Sequence, residues 1–264
     1  MSVTISASLV KELRDQTGAG MMDCKRALEE AGGDIEAARK LLRERGMAQA
    51  AKRAGRETTE GLVGYRISDT HGTMVAVGCE TEPVSKNDEF QAFAKKVLDL
   101  VDAEGTEAAA RLDEERQELI AKLGENIVVA GAARFEKVDG GVVNGYVHPP
   151  ANKLGALVQL RNGSEELARG ISMQIASTAV QWIARDDVPE DVVASEREIF
   201  ANSDEVQSKP EQAREKIVEG MLGKRFFAER VLLDSTWIHD TSKTVAQVLE
   251  GAEVLEFERF DLRG

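Results

Sequence analysis

Gly72-Thr73-Met74-Val75-Ala76-Val77 and, 83 residues later, Gly155-Ala156-Leu157-Val158-Gln159-Leu160 read as two versions of one strand. Each has a glycine and then a mostly apolar run of the kind a buried strand carries. The similarity extends outward. Gly61-Leu62-Val63-Gly64-Tyr65 resembles Gly141-Val142-Val143-Asn144-Gly145-Tyr146. Downstream, Asp88-Glu89-Phe90 matches Glu165-Glu166-Leu167 at an offset of 77, and Arg134-Phe135-Glu136 matches Arg259-Phe260-Asp261 at an offset of 125. The chain therefore contains an internal repeat.

Each change of offset locates an insertion. The step from 83 to 77 gives the first copy six extra residues, around Thr81 to Lys86. The step from 77 to 125 gives the second copy 48 extra residues, between about Asp186 and Ser235. Each copy reads strand, strand, helix or helices, strand. The strands are expected at 62–66, 73–79 and 127–135, then at 142–147, 155–160 and 254–260. The fold class is α+β, with two related subdomains. The six extra residues are expected to form an added loop that touches another protein. In the larger insertion, Val192, Val193, Ile199 and Phe200 make one helical seam. Ala213, Ile217, Val218, Met221 and Leu222 make another, with a break at Ser208-Lys209-Pro210. That pattern predicts an antiparallel helical hairpin, which binds something, pairs with a second copy as a homodimer, or simply packs on the body.

The first 56 residues read as three short helices. Ser6 or Ser8 caps the first and Gly18 ends it; the second ends at Gly32-Gly33; Asp34 caps the third, which Gly46 is expected to stop. Residues 48–56 read as a partly helical linker. The resulting division is a head and linker over 1–56, a subdomain over 57–140, and a subdomain over 141–264 with its hairpin at about 187–234.

The 264 residues carry a net charge of −13, which argues against direct binding of nucleic acid. The charge is uneven: residues 1–56 hold 11 Lys/Arg against 8 Asp/Glu, and the remainder 23 against 39. A slightly basic head on an acidic body suggests steering toward an acidic protein, although a solvated helix surface has the same composition. No apolar stretch is long enough for a membrane span, no secretory pattern is visible, and two cysteines make no disulfide framework. The expected compartment is the cytoplasm. No P-loop, nucleophile elbow or metal-ligand spacing is present, and His71, His148 and His239 are scattered. A binding protein is favoured over an enzyme, with no catalytic residues, metal or cofactor expected.

The run Leu13-Arg14-Asp15-Gln16-Thr17-Gly18-Ala19-Gly20-Met21-Met22-Asp23-Cys24-Lys25-Arg26-Ala27-Leu28 resembles the N-terminal signature of bacterial elongation factor Ts. Gly124-Glu125-Asn126-Ile127 and the stretch from Cys79 to Phe90 are also similar to that family. The resemblance spans essentially the whole chain. It implies a guanine-nucleotide exchange factor for elongation factor Tu, with a ubiquitin-associated-like helical head, a two-subdomain core and an inserted helical hairpin. It places partner contacts at Arg14, Met21, Met22 and Lys25 of the head, at Leu123 and Gly124, and at His148. Met21 or Met22 could instead pack inside the head, and a lone histidine is often structural. The family pattern Thr-Asp-Phe-Val, whose ring intrudes on the GTPase, stands here as Thr81-Glu82-Pro83-Val84. Glutamate replaces aspartate, and a rigid proline replaces the ring. A scaffold that binds a ubiquitin-like or other acidic protein without exchange, and an enzyme built on the acidic clusters, are the alternatives.

Overall fold

The computed structural model describes residues 5–263. Three helices come first: α1 (Ala7–Thr17), α2 (Met21–Glu30) and α3 (Ile35–Arg53). The side chain of Ser6 caps α1, and Gly18 closes it in the left-handed conformation that glycine tolerates (φ 66°). Asp34 caps α3 through the amides of Glu36 and Ala37. Leu13, Cys24, Ala27, Leu28 and Ala38 form the small core of this head.

Gly46 does not stop α3, which runs on to Arg53. A Cβ at Gly46 would lie 2.7 Å from the Cβ of Ala121, on the helix formed by Asp113–Leu123. The glycine lets two helices approach closely, at a cost of roughly 1 kcal/mol relative to alanine inside a helix. The residues expected as a linker are mostly helix.

Strands β1 (Glu60–Ile67), β2 (His71–Cys79) and β3 (Ile127–Glu136) form one antiparallel sheet, in the order β1-β2-β3. Strands β4 (Gly141–Val147), β5 (Leu154–Arg161) and β6 (Glu253–Asp261) form a second, in the order β4-β5-β6. The expected α+β class and the six strands are present, with ends moved by one or two residues. The two ladders share their irregularities. Gly72 pairs with Phe135 and Gly155 with Phe260, and the register shifts at Ala76/Val77 in one sheet and at Gln159/Leu160 in the other. Both pairs obey the offsets of 83 and 125. One detail differs: Tyr65 pairs with Met74 but Tyr146 with Ala156, so the matching tyrosines stand one residue apart in the ladders.

The sheets pack face to face through Val63, Met74, Ala76 and Ala133 on one side and Val143 and Leu157 on the other. Val63 lies over Gly155 and Val143 lies over Gly72, a reciprocal pair generated by the repeat. The outer face of the first sheet is covered by α5 (Asp88–Glu104) and α6 (Asp113–Leu123), with Phe90, Phe93 and Val97 against Val75 and Val77. That of the second is covered by α7 (Glu165–Ser177), with Ile171 and Ile175 near Val158 and Leu160. β2 is thus buried on both faces, which explains its unbroken apolar run. Gly72→Ala would drive a methyl into Val143 and should lower unfolding stability by about 1–3 kcal/mol, read as a lower urea midpoint with an unchanged slope.

The large insertion leaves the second subdomain at Trp182-Ile183 and returns at Val231-Leu232-Leu233. Its neck is closed by the bonds Leu232 N to Trp182 O (2.8 Å) and Leu233 N to Ile183 O (3.0 Å). Between them run α8 (Glu190–Ala201), α9 (Asp204–Gln207), α10 (Glu211–Met221), a π-helical turn (Leu222–Phe227) and α11 (Ala228–Arg230). Val192, Val193 and Phe200 meet Ile217, Val218, Met221 and Leu222 in a separate small cluster, but Ile199, expected in the first seam, is 58% exposed, one position off the buried stripe that Phe200 occupies. The extra turn α9 buries Val206 there. A last turn, α12 (Val245–Val248), precedes β6.

Candidate partner-docking site

The six extra residues do not form an open loop. Glu82–Ser85 make one helical turn, α4, with Thr81 at its N-cap. Pro83 sits in the first turn, where the missing N–H costs nothing because that amide has no helical partner. Val84 is half-buried and packs on the cluster beneath α5, so it anchors the turn. Thr81, Glu82 and Pro83 are exposed. Lys86 Nζ lies 2.7 Å from Glu82 Oε1, and this bond holds the Glu82 carboxyl below its ordinary range.

A residue not singled out from the sequence fixes this turn. Glu125 accepts from the Thr81 amide (3.0 Å) and the Thr81 hydroxyl (2.5 Å). Its only sequence signal is its place in Gly124-Glu125-Asn126-Ile127. Glu80 accepts from the Asn126 amide (2.6 Å), and Asn126 Nδ2 donates to Arg56 O (2.8 Å), which ties the end of the head's linker to the same spot. Cys79 lies beneath, fully buried. Burial first, and the Glu125 carboxylate second, push its thiol up to about 12. Cys79 is an inert core residue by this measure.

Leu123 and Gly124 lead into the latch from α6. Gly124 closes that helix in the left-handed conformation (φ 79°), and Leu123 packs on the same cluster as Val84. His148 follows β4 and reaches the same end of the double sheet. Its turn is held to β1 by Asn152 O, which accepts from Val63 N (2.6 Å), and by the Lys153–Glu60 ion pair. His148 is exposed, and its Nδ1 lies 2.9 Å from Tyr146 Oη. Thr81, Glu82, Pro83, Val84, Leu123, Gly124 and His148 thus gather at one end of the sandwich.

The head residues lie apart. Met21 and Met22 are 53% and 64% exposed, so neither fills the head's interior. Arg14 and Lys25 are also exposed, and Lys25 faces Glu29 at 3.7 Å. α6 joins the two regions. Its Ala121 and Lys122 face Gly46 and Gly18 of the head, while Lys122 Nζ bonds Glu89 Oε2 at 2.6 Å at the start of α5. A groove of about 520 Å³ separates α6 from the head beside Thr17, Gly20 and Asp23.

Comparison with known proteins is specific. Residues 80–263 match the family model described as Elongation factor TS. The chain is 41% identical to elongation factor Ts of Thioalkalivibrio sulfidiphilus, covering 98% of this chain and 92% of that protein. It is 42% identical to the Pasteurella multocida elongation factor Ts, over 98% and 92%, and 40% identical to that of Cronobacter sakazakii, over 98% and 91%. Among the described residues, no helix is long and apolar enough to cross a membrane.

Proposed function

The chain belongs to the elongation factor Ts family and so serves translation elongation, and from that membership we propose that it binds elongation factor Tu and promotes GDP release by stabilising the nucleotide-free state. GTP then rebinds to the emptied partner. The observation that carries this reading is the latched turn Thr81–Lys86, an insertion that only one repeat has and that presents Pro83 and Glu82 on a rigid base.

The physics is linkage. A partner that grips the empty GTPase more tightly than the occupied one must weaken nucleotide binding by the same factor. No bond is made or broken. Accelerating release by about 10³–10⁵ needs roughly 4–7 kcal/mol of barrier lowering. Rim ion pairs at ~0–1 kcal/mol each do not reach that figure, whereas a rigid apolar wedge backed by a broad docked surface does.

In this account Arg14, Met21, Met22 and Lys25 anchor the head on the partner's nucleotide domain. Thr81, Glu82 and Pro83 form the wedge against the magnesium and phosphate region, with Val84 holding it from below and Leu123 and Gly124 beside it. His148 holds a second part of the partner. Pro83 has no ring to insert, so the wedge acts through a short, stiff surface rather than through bulk. Purified chain added to elongation factor Tu carrying fluorescent GDP should raise the release rate by orders of magnitude. An unchanged rate would favour a docking scaffold without exchange activity.

A further inference from the structure

An exchange factor that anchors through its head and acts through the turn Thr81–Lys86 must hold those two places in one fixed relation. Helix α3 alone does not fix it. Its buried contacts with the body run along the helix, at Gly46 against Ala121 and one turn later at Ala50, in the cluster beneath α5. Contacts along one helix leave roll about its axis, and the groove of about 520 Å³ between α6 and the head gives such a roll room. The ion pair of Arg43 with Glu114 also crosses this gap, but both side chains are more than half exposed, so the pair contributes little.

One side chain reaches the head away from that axis. Lys122, in the last turn of α6, lies along the turn that joins α1 to α2. A Cβ at Gly18 would stand 2.8 Å from its Cδ and 2.9 Å from its Nζ, so glycine leaves room for the lysine stem. That turn is itself stiff. The Thr17 hydroxyl donates to Leu13 O (2.7 Å) and accepts from Ala19 N (3.3 Å), and Met21 follows two residues later. At its far end, Lys122 Nζ is held 2.6 Å from Glu89 Oε2. Glu89 lies in the first turn of α5, directly after α4, where its amide donates to Asn87 Oδ1 (2.9 Å). Lys122 therefore spans from the residues that precede Met21 to those that follow Lys86. As a bond between partly exposed groups the pair is weak; its effect is to aim the aliphatic stem across Gly18.

Resting on the exchange reading, we propose that Lys122 is a positioning residue: its stem sets the roll of the head, and with it the distance from Met21-Met22 to Thr81-Glu82-Pro83. Two grips on one partner reinforce each other only while their spacing is held, because the second then engages at a high effective concentration. A loosened head still anchors through Met21 and Met22 but brings the turn to the nucleotide site less often. Loss of Lys122 therefore lowers the release rate at saturation rather than the affinity. Loss of a docking side chain does the reverse: it raises the half-saturating concentration and leaves the saturated rate.

Lys122→Ala should keep the fold, since alanine suits a helix and the side chain it replaces is partly exposed. In stopped-flow release of fluorescent GDP from elongation factor Tu, it should lower the saturated rate by about tenfold and change the half-saturating concentration by less than about twofold. Glu89→Gln should give a smaller loss of the same kind, and the double variant should lose no more than Lys122→Ala. Spin labels at Asp15→Cys and Ala92→Cys, both exposed positions, read the distance from head to body with no partner present. Cys24 and Cys79 are fully buried and stay unlabelled in the folded protein. The distance distribution should be narrow in the parent and shifted or broadened by Lys122→Ala. An unchanged distribution, a parent-like saturated rate, or a loss confined to the half-saturating concentration would each overturn the proposal. If the parent protein itself left GDP release unchanged, the exchange reading would fail, and the spin-label distances would still decide whether Lys122 sets the head.

Discussion

Removing Thr81–Lys86, so that β2 joins α5 as directly as β5 joins α7, is expected to slow GDP release from elongation factor Tu by about 100-fold or more, equivalent to losing roughly 3 kcal/mol of barrier lowering. Complex formation should fall much less, because the head and His148 are untouched. The variant should fold, since the second copy already makes this connection with Ser164 as the cap. Stopped-flow release of fluorescent GDP, set beside a binding titration, separates the two effects. Equal losses in both would mean that the turn is ordinary docking surface, and parent-like release would remove it from the mechanism.

The existence and length of that insertion were legible from changing repeat offsets, but its conformation was not. Four residues are too few for helical periodicity, and Pro83 reads as a break although a proline in a first turn is compatible with helix. The latch formed by Glu125 was hidden for another reason. An acidic residue after a helix has no pattern of its own, and its partner Thr81 is 44 residues away. Gly46 was misleading because a helical glycine signals either an end or a close approach, and only the packing of α3 against α6 decides. The sheets were readable because β2 and β5 are buried on both faces and their apolar runs repeat. The gathering of α4, Gly124 and His148 at one end could not be read from spacing, since it depends on how the two sheets face each other.

The second large effect is expected in the head. Met21→Asp with Met22→Asp should weaken binding of elongation factor Tu by about 100-fold or more, because burying a methionine side chain at an interface is worth roughly 1.5–3 kcal/mol. The fold should hold. Both side chains are exposed at the start of α2, where added negative charge favours the helix dipole. Saturating the variant should recover most of the parent's release rate if the head only anchors. A lost maximal rate with unchanged affinity would place the head in the exchange step itself.

The most direct test of the account is to titrate this protein into elongation factor Tu twice, once stripped of nucleotide and once loaded with GDP. The account predicts a preference for the empty form of about 10³ or more, with GDP affinity weakened by the same factor in the complex. Equal affinity for the two forms would contradict it.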